Sequence, residues 1–448
     1  MSFDEYINTL KDKEIAVVGF GVSNKPLVGL LSSYGCNFTV YDIREEAALG
    51  EDFMKYKALG VRFVLGEDYL DNIKADVIFR TPGILPSAFD GTDACITSEM
   101  EAFFALCPCK IVAVTGSDGK TTTSSLIAAI AQEAGYTVHL GGNIGRPLLC
   151  EVDSMGKNDI AVLELSSFQL HSMKCKPDIA VVTNISPNHL DVHPSFVDYI
   201  DAKKNIFANQ THDCRLVLNA DNSFTSSFKG LAKGEVLLFS MKDDKRADYT
   251  FSSGAIYHNG EKIVDASEIL LRGEHNIANL MAAFASTEGL ASKSHQAKIA
   301  RTFAGVEHRL ELVCKANGIS FYNDSIATSP TRAIAALKAF DKPVILIAGG
   351  RDKKSPYNEF AKEILANVKA LFLTGEAAFK IKSEVDAVKE AEEIQIFMID
   401  DFASCVKAAA GYAKNGDIVL LSPACSSYDH FENFAVRGNY YKEIVKEI

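Results

Sequence analysis

Apolar runs of strand length recur along this chain, each followed by a helix-patterned stretch and each ending in glycine or small polar residues. EIAVVG, FTVYD and VIFRTPG come first. KIVAVTG, DIAVLEL, DIAVVTNIS and CRLVLNAD follow, and KPVILIAGG, ALFLTG and DIVLLSPAC close the series. Strands separated by helices pair in parallel, because the helical crossover returns the chain to the same end of the sheet. The expected class is α/β, and 448 residues suffice for roughly three such domains. The punctuation between runs places them at 1–100, 101–305 and 306–448. One segment departs from the pattern: DYTFSSGAIYHNGEKIV reads as a hairpin turning at Asn259-Gly260.

The net charge is −12 and no long basic run is present, which argues against nucleic acid or an anionic membrane surface as the main partner. An anionic substrate must then be held by local positive groups. No apolar stretch approaches the ~18 residues that span a bilayer. The opening residues, Met1 to Tyr6, are acidic and lack a signal-peptide core. The ten cysteines are scattered without a C-x-x-C pair, so they read as reduced thiols, with no zinc spacing. A cytoplasmic protein is expected, and a monomer, since no added dimer element is visible.

In α/β sheets ligands collect where strands end. After KIVAV comes Thr115-Gly116-Ser117-Asp118-Gly119-Lys120-Thr121-Thr122. Its end fits the phosphate loop G-x-x-x-x-G-K-[ST], but Val114 stands where the first glycine belongs, and the loop is shorter. Lys120 can reach a terminal phosphate, and Thr121 is placed for Mg²⁺. After AVLEL come Glu164, Ser166 and Ser167; after AVVTNIS come Asn188, His189 and Asp191. Mg²⁺ favours hard oxygen ligands, so Glu164 and Thr121 fit better than His189. At the first strand the dinucleotide fingerprint G-x-G-x-x-G fails, with Gly19 and Gly21 present and Asn24 in third place, while Asp42 ends the next strand. A ligand-free turn and a nucleotide site both remain open there. Asn276 and Asn279 lie three apart on one helix face. His308, Arg309 and Asp324 follow near the start of the last domain.

TGSDGKTT, LELSSFQL, NISPNHLD, HNIAN and EHR, in this order, together with SPACSSYDHFENFAVRG at 422–438, resemble the Mur ligases of peptidoglycan synthesis and, within them, the glutamate-adding branch. The short loop T-G-x-x-G-K-[ST] is theirs. The resemblance implies an N-terminal Rossmann-like UDP-binding domain, a central P-loop ATPase-type parallel-sheet domain and a C-terminal Rossmann-like domain. It puts UDP-N-acetylmuramoyl-L-alanine on Gly21, Val22, Ser23, Asp42, Arg44, Thr81, Pro82, Gly83, Asn143 and His189. ATP falls to Gly116, Ser117, Asp118, Gly119, Lys120, Thr121 and Thr122, with Asn276, Asn279, Arg309 and, for the ribose, Asp324. Two Mg²⁺ ions are implied, on Thr121, Glu164, His189 and Lys203, the last as a carbamate. Lys204 is the rival of Lys203, which the Y-x-x-A-K spacing favours. Lys120, Glu164, His189, Lys203 and Arg309 form the implied catalytic set. D-Glutamate is implied at Thr328, Lys353, Ser427, Tyr428 and Phe434, with Lys354 beside Lys353. The chain departs from the family pattern at Ile326 and Ser329, which replace a lysine and an asparagine, and at Asp118, whose carboxylate should point away from phosphate.

The implied reaction joins D-glutamate to the alanyl carboxyl through an acyl phosphate, with the last domain swinging to deliver the amino acid. Three other readings stand beside it. A sibling ligase shares the loop but should lack the 422–438 segment in this form. An NAD-dependent dehydrogenase is suggested by VVGFG and Asp42, against the failed third glycine. A non-catalytic sensor of the precursor would have no use for Lys120 and Glu164.

Overall fold

The structure, a computed structural model, describes residues 2–144, 147–187, 192–271, 273–352, 355–388 and 394–448. It divides into two compact units, Met1–Ile269 with Glu274–Thr302, and Leu270–Gly273 with Phe303–Ile448. Among the described residues no helix is long and apolar enough to cross a membrane.

The first unit holds two sheets. The first comprises β1 (Ile15–Val18), β2 (Phe38–Asp42), β3 (Arg62–Leu65), β4 (Val77–Arg80) and β5 (Cys95–Thr97), in the order β3-β2-β1-β4-β5. Every pairing is parallel. The central strands β1 and β4 are buried along their whole length, as a sheet covered on both faces requires. The chain leaves β1 on one side for β2 and β3 and returns on the other for β4 and β5. The crevice at the ends of β1 and β4 is therefore the switch point, where such sheets bind ligands.

The second sheet comprises β6 (Lys110–Thr115), β7 (Val138–Gly142), β8 (Ile160–Glu164), β9 (Ile179–Val182), β10 (Arg215–Asn219), β11 (Glu235–Ser240), β12 (Tyr249–Ser252), β13 (Ala255–His258) and β14 (Glu261–Asp265). Their order is β14-β13-β12-β11-β10-β9-β6-β8-β7. The expected hairpin is a three-stranded meander: β13 pairs antiparallel with both β12 and β14. Asn259 and Gly260 turn the second corner with φ of 50° and 81°, as a type I′ turn needs. The first corner is Ser253-Gly254, also left-handed. The reversal of strand order lies between β6 and β9, so the loop after β6 meets the segment after β9. One apolar core serves both sheets, joining Val17, Phe20 and Phe103 to Leu149, Leu163 and Leu170.

The second unit carries β15 (Glu311–Ala316), β16 (Ile319–Asn323), β17 (Val344–Gly349), β18 (Val368–Thr374), β19 (Gln395–Met398) and β20 (Ile418–Leu421), in the order β15-β16-β20-β17-β18-β19. Only β15 runs antiparallel to its neighbour. Separate apolar clusters cover its two faces, around Leu346 and Phe360 on one and around Ile347 and Tyr441 on the other.

Candidate active site

β6 ends at Thr115 and the helix Lys120–Glu133 begins after a four-residue loop. The loop is shaped by close approaches. Gly119 has φ of 79°, and a Cβ there would collide with the side-chain oxygen of Asn279. A Cβ on Gly116 would collide with the Thr183 hydroxyl. The segment after β9 holds the loop by its backbone. Ser117 donates its N–H to the Asn184 carbonyl at 2.9 Å, and Asp118 donates to Asn184 Oδ1 at 2.9 Å. Thr183 returns a hydrogen bond to the Asp118 carbonyl at 2.6 Å. The helix start has no side-chain cap. Its N–H groups and positive dipole end therefore suit an anion. Asp118 is exposed, while Lys120 Nζ donates to the carbonyls of Gly116 and Ser117, both at 2.9 Å.

Glu164, at the end of β8, is 2% exposed. Its Oε2 accepts the Thr121 hydroxyl at 2.7 Å, and its Oε1 accepts Asn143 Nδ2 at 2.8 Å. Both partners are neutral, so a hard cation at this cluster of oxygens would meet favourable donors. Lys203 is also inside, 1% exposed, on the helix Phe196–Ala208. Its Nζ donates to the Gly116 carbonyl at 2.8 Å and lies 4.6 Å from the centre of the Tyr199 ring. Burial, and then repulsion from Lys120, holds its pKa well below the ordinary lysine value. Lys204 instead pairs with Asp201 near the surface at 2.8 Å. The structure thus separates the two lysines, with Lys203, which the spacing favours, buried and Lys204 near the surface. Asn188, His189 and Asp191 lie outside the described residues.

Asn279 is buried; its Nδ2 donates to Asn276 Oδ1 at 3.0 Å and its Oδ1 accepts the Thr123 hydroxyl at 3.4 Å. These amides pin the helix Glu274–Ser286 beneath the loop.

At the first sheet, Asn24 explains the missing third glycine. Its Nδ2 donates to the carbonyls of Val18 and Gly19, at 3.1 and 3.0 Å, and ties the turn to the end of β1. The exposed Val22 and the part-buried Gly21 and Ser23 form the turn's outer edge, and Thr81, Pro82 and Gly83 face the same strand ends. Asp42 accepts the Phe20 N–H at 2.6 Å and the Arg44 N–H and Nε, at 2.9 and 2.8 Å. Burial pushes its pKa up, but these bonds outweigh it and hold the carboxyl below its usual range. Asp42 is thus committed to Arg44 and the turn, which weakens the dinucleotide reading.

In the second unit, Asp324 is buried; its Oδ2 accepts the Ser422 hydroxyl at 2.8 Å and its Oδ1 the Leu310 N–H at 3.2 Å. Burial pushes its pKa up to about 7. Arg309 is exposed, whereas His308, in the left-handed region at φ of 62°, is buried against Asn323. Burial lowers the pKa of His308. Sequence reasoning missed Arg437. Its buried guanidinium donates to Ser325 Oγ at 3.0 Å and to the carbonyls of Ser325, Cys425 and Ser426 at 3.0, 3.1 and 3.2 Å. It ties the segment leading to Thr328 to the one leading to Ser427. Ser427 is buried, Tyr428 is 62% exposed, and Phe434 packs edge-on against His308 at 6.0 Å. A cleft at the ends of β17, β18 and β20 is lined by Gly349, Thr374, Pro423, Asp429 and Arg437. Lys353 and Lys354 lie outside the described residues.

A second group was invisible to spacing rules. His193 Nδ1 meets Asp198 Oδ2 at 2.6 Å, His193 Nε2 meets Ser167 Oγ at 2.9 Å, and His171 Nε2 meets Asp198 Oδ1 at 3.1 Å. The three ionisable groups are close enough to share a metal ion. As they stand, the hydrogen bonds join the start of the short helix Ser167–Leu170 to the first turn of the helix that carries Lys203.

Residues 114–287 match the Mur ligase middle domain, and residues 308–425 match the Mur ligase glutamate ligase domain. The UDP-N-acetylmuramoylalanine–D-glutamate ligase of Clostridium novyi is 47% identical over 455 residues, covering 100% of this chain and 99% of that protein. The protein of the same name from Acetivibrio thermocellus is 46% identical, covering 99% of this chain and 98% of its own length. Among solved structures, the UDP-N-acetylmuramate-alanine ligase of Thermotoga maritima is similar with a TM-score of 0.58 at 18% identity, covering 97% of this chain and 99% of that one. A UDP-N-acetylmuramoyl-L-alanyl-D-glutamate–2,6-diaminopimelate ligase gives 0.56, also at 18% identity, over 96% of this chain and 92% of its own. These two likenesses establish the fold, an α/β Mur ligase architecture. With near-full-length relatives at this identity, the chain belongs to the Mur ligases, in the family named for joining UDP-N-acetylmuramoylalanine to D-glutamate.

Proposed function

We propose that the chain is an ATP-dependent amide-forming ligase that adds D-glutamate to UDP-N-acetylmuramoyl-L-alanine during peptidoglycan precursor synthesis. The observation that carries this reading is the meeting of Lys120, Thr121, Glu164 and Lys203 around one uncapped helix start. The shared name of the full-length relatives supports D-glutamate as the amino acid.

The alanyl carboxylate oxygen attacks the γ-phosphorus of ATP, the bond to the β–γ bridging oxygen breaks, and ADP leaves. The amine of D-glutamate then attacks the acyl carbon of the resulting acyl phosphate. Inorganic phosphate departs with the electron pair of the C–O bond, and the amine proton passes to solvent or a nearby base. Gly116 to Thr122 cradle the phosphates, and Lys120 turns from its loop carbonyls to the transferred group. Two Mg²⁺ ions, assigned to Thr121, Glu164, His189 and carbamylated Lys203, neutralise phosphate charge when bound. Lys203 suits carbamylation because its buried amine is held toward the neutral form, the form that adds to CO₂.

The first sheet is assigned to the precursor, through Gly21 to Ser23, Asp42, Arg44 and Thr81 to Gly83, with Asn143 and His189. Thr328, Lys353, Ser427, Tyr428 and Phe434 are assigned to D-glutamate, and Asn276, Asn279, Arg309 and Asp324 to the nucleotide. A cytoplasmic monomer is the proposed working form; ten free cysteines support a reducing compartment. The test is ATP-dependent coupling of radiolabelled D-glutamate to the purified precursor, run beside a panel of other amino acids. Coupling of D-glutamate with release of phosphate supports the reading. Preference for another amino acid, or no coupling, overturns it.

A further inference from the structure

We propose that Arg80 supplies the counter-charge for the precursor's diphosphate at the crevice between β1 and β4. The proposal rests on assigning the first sheet to that precursor.

Arg80 is the last residue of β4 and is 2% exposed. Its Nη1 donates to the Ile84 carbonyl and its Nη2 to the Ser172 hydroxyl, both at 2.8 Å. Both partners are neutral, and Nε has none. Among the described residues no carboxylate pairs with it. Glu101 attracts it only at longer range, and that carboxyl is occupied by the Ser98 hydroxyl at 3.0 Å. Glu99 is turned to the Leu149 N–H at 2.8 Å. A buried ion without a counter-ion in contact is unfavourable, and burial lowers the pKa of Arg80 against the longer-range attraction of Glu101. A group kept at such a cost calls for an anion that arrives from outside.

A second orphan lies beside it. Asn24 Oδ1, an acceptor, is buried without a hydrogen-bond partner, although its Nδ2 is doubly engaged; it suits a hydroxyl or amide donor of the ligand, not the diphosphate itself. Asn24 and Arg80 line one cleft together with Ser23, Pro82, Ser98 and Gln169. The helix Asn24–Ser33 starts there, and its first residues lack a side-chain cap. A helix start and a buried guanidinium therefore converge on the switch point, both positive, in a protein of net charge −12. The precursor has two acidic parts, its diphosphate and its alanyl carboxyl. The carboxyl must reach the phosphate loop after β6, which leaves the diphosphate for the crevice. Because Nε is enclosed, Arg80 acts as a charge in the wall of the cleft and decides which ligands bind there.

The test is calorimetric titration of the full-length protein with the precursor and with its alaninamide analogue, which keeps the diphosphate and lacks the carboxylate. Arg80→Met is expected to weaken both ligands by the same factor, about tenfold or more. Arg80→Lys should recover most of that loss, and the KM for ATP should not change. The unliganded Arg80→Met protein should melt no lower than the parent, since removing an unpaired buried charge offsets two lost hydrogen bonds. Unchanged affinity in Arg80→Met overturns the proposal, as does a loss confined to the carboxylate-bearing ligand. A lowered melting point with intact affinity shows a tether between the sheets and also overturns it. A parent protein that binds neither ligand overturns the functional reading instead.

Discussion

The ammonium groups of Lys120 and Lys203 share one acceptor, the carbonyl oxygen of Gly116, at 2.9 and 2.8 Å. Two cations on one carbonyl repel, and the buried member gives way. Addition of the neutral Lys203 amine to CO₂ would form an N–C bond, release one proton and convert the repulsion into attraction for metal and for Lys120. Turnover should therefore fall in CO₂-depleted buffer and return on adding bicarbonate. Lys203→Met should lose about a hundredfold in activity and show no response to bicarbonate. Steady-state rates with and without bicarbonate check both.

Gly119→Ala should weaken nucleotide binding while sparing the precursor site. The new methyl group meets the Asn279 side chain, at a backbone angle of φ 79° that disfavours any Cβ. Affinity for ATP should drop by about five- to a hundredfold, the equivalent of a strain of roughly 1–3 kcal/mol. Fluorescent-nucleotide titration measures it, with precursor binding as the control.

Glu164→Gln keeps the shape and removes the charge. The bond from Thr121 can survive, so folding should be little affected, whereas the divalent-ion concentration for half-maximal rate should rise about ten- to a hundredfold. A Mg²⁺ titration of the coupling rate reads this directly.

Burial pushes the pKa of Glu99 up to about 7, from the usual 4.5. The folded protein holds this proton through a range where the unfolded chain has lost it. Stability from this group is full below pH 4.5 and falls as pH rises to 7. The loss is on the order of 3 kcal/mol. Glu99→Gln should remove that slope and raise the melting temperature at pH 8 relative to the parent. Thermal unfolding of both proteins across this pH range tests the sign.

The sequence announced the phosphate loop because a helix start after a buried strand needs few residues, contiguous in the chain. Glu164 was legible for the same reason, as an acid ending an apolar run. The Y-x-x-A-K spacing favours Lys203 over Lys204, but the burial that sets it apart is a property of packing that spacing does not show. The role of Asn24 was hidden because spacing rules read a missing glycine as a defect, whereas its amide replaces close packing with two hydrogen bonds. His171, His193 and Asp198 meet only because two helices do. Arg437, which closes the loops around Ser325 and Ser427, sits 112 residues from one of its partners. No local pattern carries that information.

The position of β20 has a consequence for how the protein is made. This strand, Ile418–Leu421, lies between β16 and β17, both of which precede it by many residues. During synthesis the two older strands must wait with a gap between them until Ile418–Leu421 has left the ribosome. The sheet of this unit is therefore completed only once residues 418–421 are made, and a chain cut short before residue 418 leaves an open slot lined by unpaired backbone.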